Sequence, residues 1–239
     1  MFTAIDEIAP DIFRLSTHVP EVGPGGLSFN QFLVRDEQPF LFHTGMRQLY
    51  PLVSEAVSKV IDLQTLRWIS FGHVEADECG AMNLFLADAP QAEVIHGPTA
   101  IMVSLNDLAD RPPQIAGQEA LDLGTHRLRF IPTPHVPHGW ESGLWIDETT
   151  NTLFTGDLFT HLGDVAPVVE DDIVAPALAA EDIFHSTSFS PNLLPTIEML
   201  AGLEPTTLAT MHGSSFRGDG GTQLRALAAG YAAARAEAA

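Results

Sequence analysis

Phe71-Gly72-His73-Val74-Glu75-Ala76-Asp77-Glu78 is the stretch on which the reading of this 239-residue chain turns. The run before it, Arg67-Trp68-Ile69-Ser70-Phe71, reads as a buried strand, and Gly72 permits a sharp exit. Asp77 can cap a helix whose apolar positions are Ala81, Leu84 and Phe85, so the stretch reads as a strand-to-helix loop. Alternate residues of extended backbone point the same way, and His73, Glu75 and Asp77 can therefore direct one imidazole and two carboxylates into a small volume. Donors gathered in that way suit a metal ion. With 10 His and 31 acidic residues, chance supplies roughly 0.2 such triplets in a chain of this length, so the motif needs support from the rest of the sequence.

Composition narrows what that support can be. The chain is 45 % apolar, enough for a substantial core, and it contains no linker, which predicts a single domain over 1–239. No apolar run approaches the ~20 residues that span a bilayer, and the start, Met1-Phe2-Thr3-Ala4-Ile5-Asp6-Glu7, has no basic region followed by an apolar one. A soluble, cytoplasmic protein is expected. Cys79 is the only cysteine, which excludes an internal disulfide, a four-thiolate zinc site and a four-cysteine iron–sulfur cluster held by this chain alone. Metal binding must then use mainly nitrogen and oxygen. Thirty-one acidic against 11 basic residues give a formal charge of −20, a field that repels phosphate backbones and argues against nucleic acid as a partner. Basic proteins or cations fit it better.

Along the chain, 12–15 reads as a first strand and 27–34 with 40–42 as a hairpin. Leu52, Val53, Ala56, Val57 and Val60 recur at helical spacing over 51–60. A strand over 66–71 leads into the central motif, a helix is expected over 77–86, a strand over 93–96 and a short helix over 99–108. Short strands over 119–123 and 126–131, a hairpin of 144–146 with 152–155, and a strand over 207–210 make the second half β-rich again. Helices are expected over 192–203 and from Gln223 to the end. The stretch 158–191 reads as long and irregular, a functional loop or lid. This order predicts an α/β fold, a four-layer αββα sandwich, because hairpins interrupt the alternation that a doubly wound sheet requires.

Three further candidates stand at strand ends. His135 lies in Pro132-Thr133-Pro134-His135-Val136-Pro137-His138, Asp157 follows Leu153-Phe154-Thr155-Gly156, and His212 follows Leu208-Ala209-Thr210-Met211 and precedes Gly213. Strand ends along one sheet edge are where convergent sites are built. His138, close to Trp140, is a candidate for lining the pocket or donating a proton. His161 and His185 lie in the long loop and are candidates for covering the site, while His18, His96 and His126 read as structural or exposed.

With these residues in place, the sequence resembles the metallo-β-lactamase superfamily over nearly its whole length, and within it the diiron branch of flavodiiron proteins and their shorter relatives, the oxygen-binding diiron proteins. His-Thr-Gly at 43–45 and Asp-Leu-Phe-Thr-His at 157–161 add to the likeness. The resemblance implies a metallo-β-lactamase-type sandwich holding two bridged iron ions, one on His73, Glu75 and His135, the other on Asp77 and His212, with Asp157 between them. Hydrolytic members commonly carry H-x-H-x-D-H, whereas this chain has Glu75 and Glu78 at the second and last His positions. Carboxylate in place of imidazole makes the site harder, favouring iron or manganese over zinc, although zinc competes.

The chemistry the resemblance implies is binding or reduction of O2 or NO, as an oxygen sensor or carrier or as a reductase. Flavodiiron relatives carry an FMN-binding flavodoxin domain that the 27 residues after His212 cannot supply, so turnover as a reductase is expected to draw electrons from a separate redox or signalling protein. The competing reading is a binuclear zinc hydrolase acting on an ester, thioester or lactone. The physiological ligand, a homodimeric state, and the roles of Glu78 and His43 stay open at the level of sequence.

Overall fold

Two seven-stranded sheets packed face to face form the centre of the computed structural model, which describes residues 1–237. The first sheet runs β1 (Thr3–Ala9), β2 (Ile12–Val19), β3 (Leu27–Val34), β4 (Phe40–Phe42), β5 (Trp68–Ser70), β6 (Glu93–His96) and β7 (Gln114–Ile115) in both chain and spatial order. β1 to β4 pair antiparallel, and β4 to β7 pair parallel. The second sheet contains β8 (Leu121–Asp122), β9 (Arg127–Pro132), β10 (Gly143–Asp147), β11 (Thr152–Gly156), β12 (Val168–Val169), β13 (Thr207–Thr210) and β14 (Ser215–Arg217), in the spatial order β12-β14-β13-β11-β10-β9-β8.

Period-two alternation sorts the apolar side chains into three layers. Phe32, Val34, Phe40 and Phe42 of the first sheet meet Phe130, Trp145, Phe154 and Ala209 of the second between the sheets. Their immediate neighbours Leu33 and Leu41 point the other way, under α1 (Tyr50–Val60) and α3 (Met82–Asp88), where they join Val53, Val57 and Phe85. On the far side, Leu144, Ile146, Leu153 and Leu208 pack with Ile197 and Leu200 of α7 (Leu193–Ala201) and with Leu224 and Leu227 of α8 (Gly220–Glu237). The result is the αββα sandwich. Because both faces of β3 are covered, every one of its residues is buried.

Several elements differ from the sequence expectation for identifiable reasons. β1 is an edge strand, mostly half-exposed, in which Thr3, Asp6 and Glu7 break up the apolar Ala4, Ile5, Ile8 and Ala9, and so it carries no apolar alternation to read. The helix expected over 77–86 is two pieces, α2 (Ala76–Cys79) and α3, separated by Gly80 and Ala81. The region 99–108 is helical but composite, with α4 (Pro98–Ala100), a π-helical stretch Ile101–Leu105 and α5 (Asn106–Leu108). The stretch 158–191 is not irregular throughout, since it contains β12 and α6 (Val174–Phe184). α8 begins at Gly220, where Thr222 donates its backbone N–H to Asp219 at 2.8 Å, and the last two positions of the expected helix, 238 and 239, lie outside the described residues. Among the described residues no helix is long and apolar enough to cross a membrane.

One consequence of the second sheet's pairing places the site. β9 and β11 each run antiparallel to β10, and β11 runs parallel to β13, so β9, β11 and β13 share a direction and end on one edge. The Gly143 backbone N–H donates to the Gly72 carbonyl at 2.8 Å, and the Asn30 backbone N–H donates to the Met211 carbonyl at 2.9 Å. These bonds hold that edge against the middle of β3 and the loop after β5 in the first sheet.

Candidate metal centre

His73 follows β5, Glu75 precedes the first turn of α2, and Asp77 lies within that turn. His138 lies in the loop between β9 and β10, Asp157 directly after β11, and His212 two residues after β13. One donor atom each from His73, Glu75, His138 and Asp157 lie within 4.8 Å of one another. Within this group His73 Nε2 is 2.8 Å from Glu75 Oε2, and His138 Nε2 is 3.3 Å from Glu75 Oε2 and 3.4 Å from Asp157 Oδ2. A second group adjoins it. His212 Nε2 is 3.3 Å from Asp77 Oδ2 and 3.4 Å from Asp157 Oδ1. Asp157 thus turns one carboxylate oxygen to each group.

The imidazoles are aimed by their other nitrogens. A carbonyl oxygen only accepts, so His212 Nδ1, 2.9 Å from the Ser28 carbonyl, carries a proton, and Nε2 is the nitrogen turned to the carboxylates. His73 Nδ1 lies 3.2 Å from Glu78 Oε1, a fully buried carboxylate behind the ring. His161 is buried against the same region but serves the backbone, with Nε2 accepting the Ser214 N–H at 2.8 Å and Nδ1 donating to the Phe159 carbonyl at 2.8 Å. It secures the turn carrying His212 and is not a cover. His185 is exposed at the C-terminus of α6.

Of the candidate ligands, His135 is the one that the fold does not bring to the cluster, although its loop is the right one. It sits at a left-handed position, φ 66°, where the loop reverses and its backbone N–H donates to the Gly139 carbonyl, and it is exposed. Three residues further the chain returns to the site, and His138 takes the place expected of His135. Gly139 makes that return feasible, since a Cβ there would stand 3.2 Å from the Cβ of His73. A signal was present in the sequence: His73, Asp157, His212 and His138 each adjoin a glycine, and His135 does not. His138 lines the cleft, as expected, and also stands beside Glu75 and Asp157.

Charge at the site is mutually supporting. Burial alone would depress the His73 imidazolium, but Glu78, Glu75 and Asp157 outweigh it and raise its pKa to about 12. His212 is likewise opposed by burial and raised to about 10 by Asp157 and Asp77. Glu75 is held down at about 2 by hydrogen bonds from His138 and His73, and Asp157 lies below the usual carboxylate range because His212, His73 and His138 overcome its burial. The cluster therefore demands positive charge. Asp77 Oδ1 and Asp157 Oδ1 are buried and accept no hydrogen bond within the protein. Buried acceptors left without donors, beside imidazole nitrogens already aimed inward, fit divalent cations. A cleft of about 290 Å³, bounded by Leu27, Thr160, Phe184 and Ser186, leads to them.

A four-layer αββα sandwich with His and carboxylate donors converging at one seam defines a metallo-β-lactamase-type protein. The profile described as "ODP family beta lactamase" matches residues 27–213, and the chain belongs to that family. It is 29 % identical over 199 residues to the putative diflavin flavoprotein A 1 of Nostoc sp., covering 79 % of this chain and 33 % of the relative. It is 28 % identical over 213 residues to the rubredoxin-oxygen oxidoreductase of Megalodesulfovibrio gigas, covering 84 % and 52 %. The metal-soaked Flv1 flavodiiron core from Synechocystis sp. superposes with a TM-score of 0.77 at 25 % identity, over 95 % of this chain and 60 % of that one. The chain thus spans about a third to about a half of these two curated relatives.

Proposed function

We propose that this chain is a non-haem diiron protein that binds or reduces O2 or NO. His73, Glu75 and His138 would hold one iron and Asp77 and His212 the other, with Asp157 shared between them. The observation that carries this reading is the division of the Asp157 carboxylate, Oδ2 toward His138 and Oδ1 toward His212. A carboxylate serving one ion has no need of two separate donor groups on its two oxygens. The harder donor set, with Glu75 where a histidine is common, favours iron over zinc. The relatives support the reading: one is named a rubredoxin-oxygen oxidoreductase, and a similar core is described as flavodiiron.

A ferrous pair supplies, when bound, open positions for a diatomic gas and electrons to pass to it. The chain's own part is to arrange and shield. Asp157, Glu75 and Asp77 bring three negative charges that favour a pair of divalent cations. Leu27 and Phe184 narrow the cleft, and Phe29 packs edge-on against the His212 ring with centroids 5.1 Å apart, so bulk water is kept from one side. Reduction beyond one turnover needs a continuing supply of electrons to the pair. The net charge of −20 supports a donor that presents a basic docking face.

Metal analysis of protein loaded and purified without oxygen tests the assignment, with about two irons per chain expected. Addition of O2 to the reduced protein should give new near-ultraviolet or visible absorption, or consume O2. Iron-loaded protein that does neither overturns the proposal, as does stoichiometric zinc with ester turnover in its place.

A further inference from the structure

Glu78 is the one acidic residue of the 72–78 segment that turns away from the donor cluster. Its carboxylate is wholly buried, and Oε2 accepts the His73 backbone N–H at 2.7 Å. Oε1 stands 3.2 Å from His73 Nδ1 and 3.4 Å from His43 Nε2. Room for it comes from Gly72, where a Cβ would lie 3.0 and 3.1 Å from the two carboxylate oxygens. The backbone is pinned as well, since the Glu78 carbonyl accepts both the N–H and the Oγ1 hydroxyl of Thr44, at 2.6 and 3.1 Å. His43 completes the arrangement from behind: its ring is fully buried, Nδ1 faces the Asn30 carbonyl at 3.3 Å, and Nε2 is thereby turned to Glu78.

These contacts put Glu78 on the opposite side of the His73 ring from Nε2, where it cannot share a metal with that nitrogen. We infer that Glu78 is a positioning residue that fixes the ring and tautomer of His73, with His43 anchoring Glu78 in turn, so that Nε2 is presented to the metal in advance. The inference rests on His73 being a metal ligand, as proposed above. An ionised carboxylate only accepts, so Glu78 keeps a proton on Nδ1, and Nε2, which faces Glu75 and Asp157, is the nitrogen that would exchange its proton for an ion. A histidine whose second nitrogen is held by a carboxylate is both better oriented and more basic, and losing such a partner typically costs ten- to hundredfold in metal affinity.

Zinc, being diamagnetic, is the probe. Long-range ¹H–¹⁵N correlation spectra of the full zinc-loaded chain should show His73 with a protonated Nδ1 and a metal-bound Nε2. In Glu78→Gln, one of two zinc equivalents should bind about ten- to hundredfold more weakly, the other should change by less than about threefold, and His73 should lose its single tautomer. Unchanged affinity and tautomer in that variant overturn the inference. So does a wild-type His73 bound through Nδ1, a result that decides the matter even if Glu78→Gln does not fold. A wild-type chain that takes up no zinc removes the metal-site reading itself, an outcome distinct from two bound ions with the His73 tautomer reversed.

Discussion

Replacing His138 by alanine should weaken metal binding far more than replacing His135, three residues away in the same loop. His138 Nε2 is within 3.4 Å of both Glu75 Oε2 and Asp157 Oδ2, while the His135 side chain is exposed. A four-donor structural zinc site is worth about 10–16 kcal/mol, so one donor of the His73, Glu75, His138 and Asp157 group carries about 3 kcal/mol, or about a hundredfold in Kd. His135→Ala removes a surface side chain, with an effect within about 0.5 kcal/mol, or about twofold. Zinc titration in competition with a chromophoric chelator at fixed pH measures both variants. A His135→Ala protein that loses an ion while His138→Ala keeps both refutes the geometry on which the ligand assignment rests.

Asp157→Ala should lose both ions and Glu75→Ala mainly one, as metal content after gel filtration would show; full occupancy in both contradicts a shared carboxylate. Metal affinity should rise with pH, because His73 and His212, raised to about 12 and about 10, hold protons that an ion must displace; proton release on zinc addition in weak buffer checks this, and its absence is the contrary result. Metal-free protein should be most stable between about pH 4.5 and 6.5 in urea titrations. The raised His pKa values give stabilisation present below the unfolded value near 6.5 and lost as pH rises toward about 10 for His212 and about 12 for His73, and Glu75, lowered from 4.5 to about 2, gives stabilisation lost as pH falls through that range. In the inter-sheet layer, Phe40→Ala should cost about 3–5 kcal/mol by urea denaturation, since Phe40 is fully buried against Trp145 and Phe154.

The sequence made the sandwich legible where burial is one-sided and periodic. Phe32 and Leu33, or Phe40 and Leu41, alternate between two apolar layers, and the α1 stripe repeats at helical spacing, so hairpin, helix and layer order follow from pattern alone. It was silent where the chain meets water or lacks a moment: edge strand β1 carries Asp6 and Glu7, and α6, rich in alanine and apolar on several faces, offers no stripe. For the site, the strand-end rule found His73, Asp157 and His212 because each strand leads straight into its donor. It pointed to His135, which is exposed while His138 reaches the cluster, because the β9–β10 loop doubles back, and that depends on left-handed backbone at His135 and Gly139 rather than on strand periodicity. The inward turn of Glu78 was equally hidden, since nothing local distinguishes it from Asp77; only the space left by Gly72 and the distant His43 does.

The donors straddle the seam, with His73, Glu75 and Asp77 following a strand of one sheet and His138, Asp157 and His212 following strands of the other. An ion seated there acts as a rivet through both halves of the molecule. Free metal at a thousand times its Kd adds about 4 kcal/mol to their adhesion. Without an ion the halves are joined by the apolar layer and by hydrogen bonds such as Gly143 to Gly72 and Asn30 to Met211, so metal-free protein should be cut by proteases sooner than loaded protein.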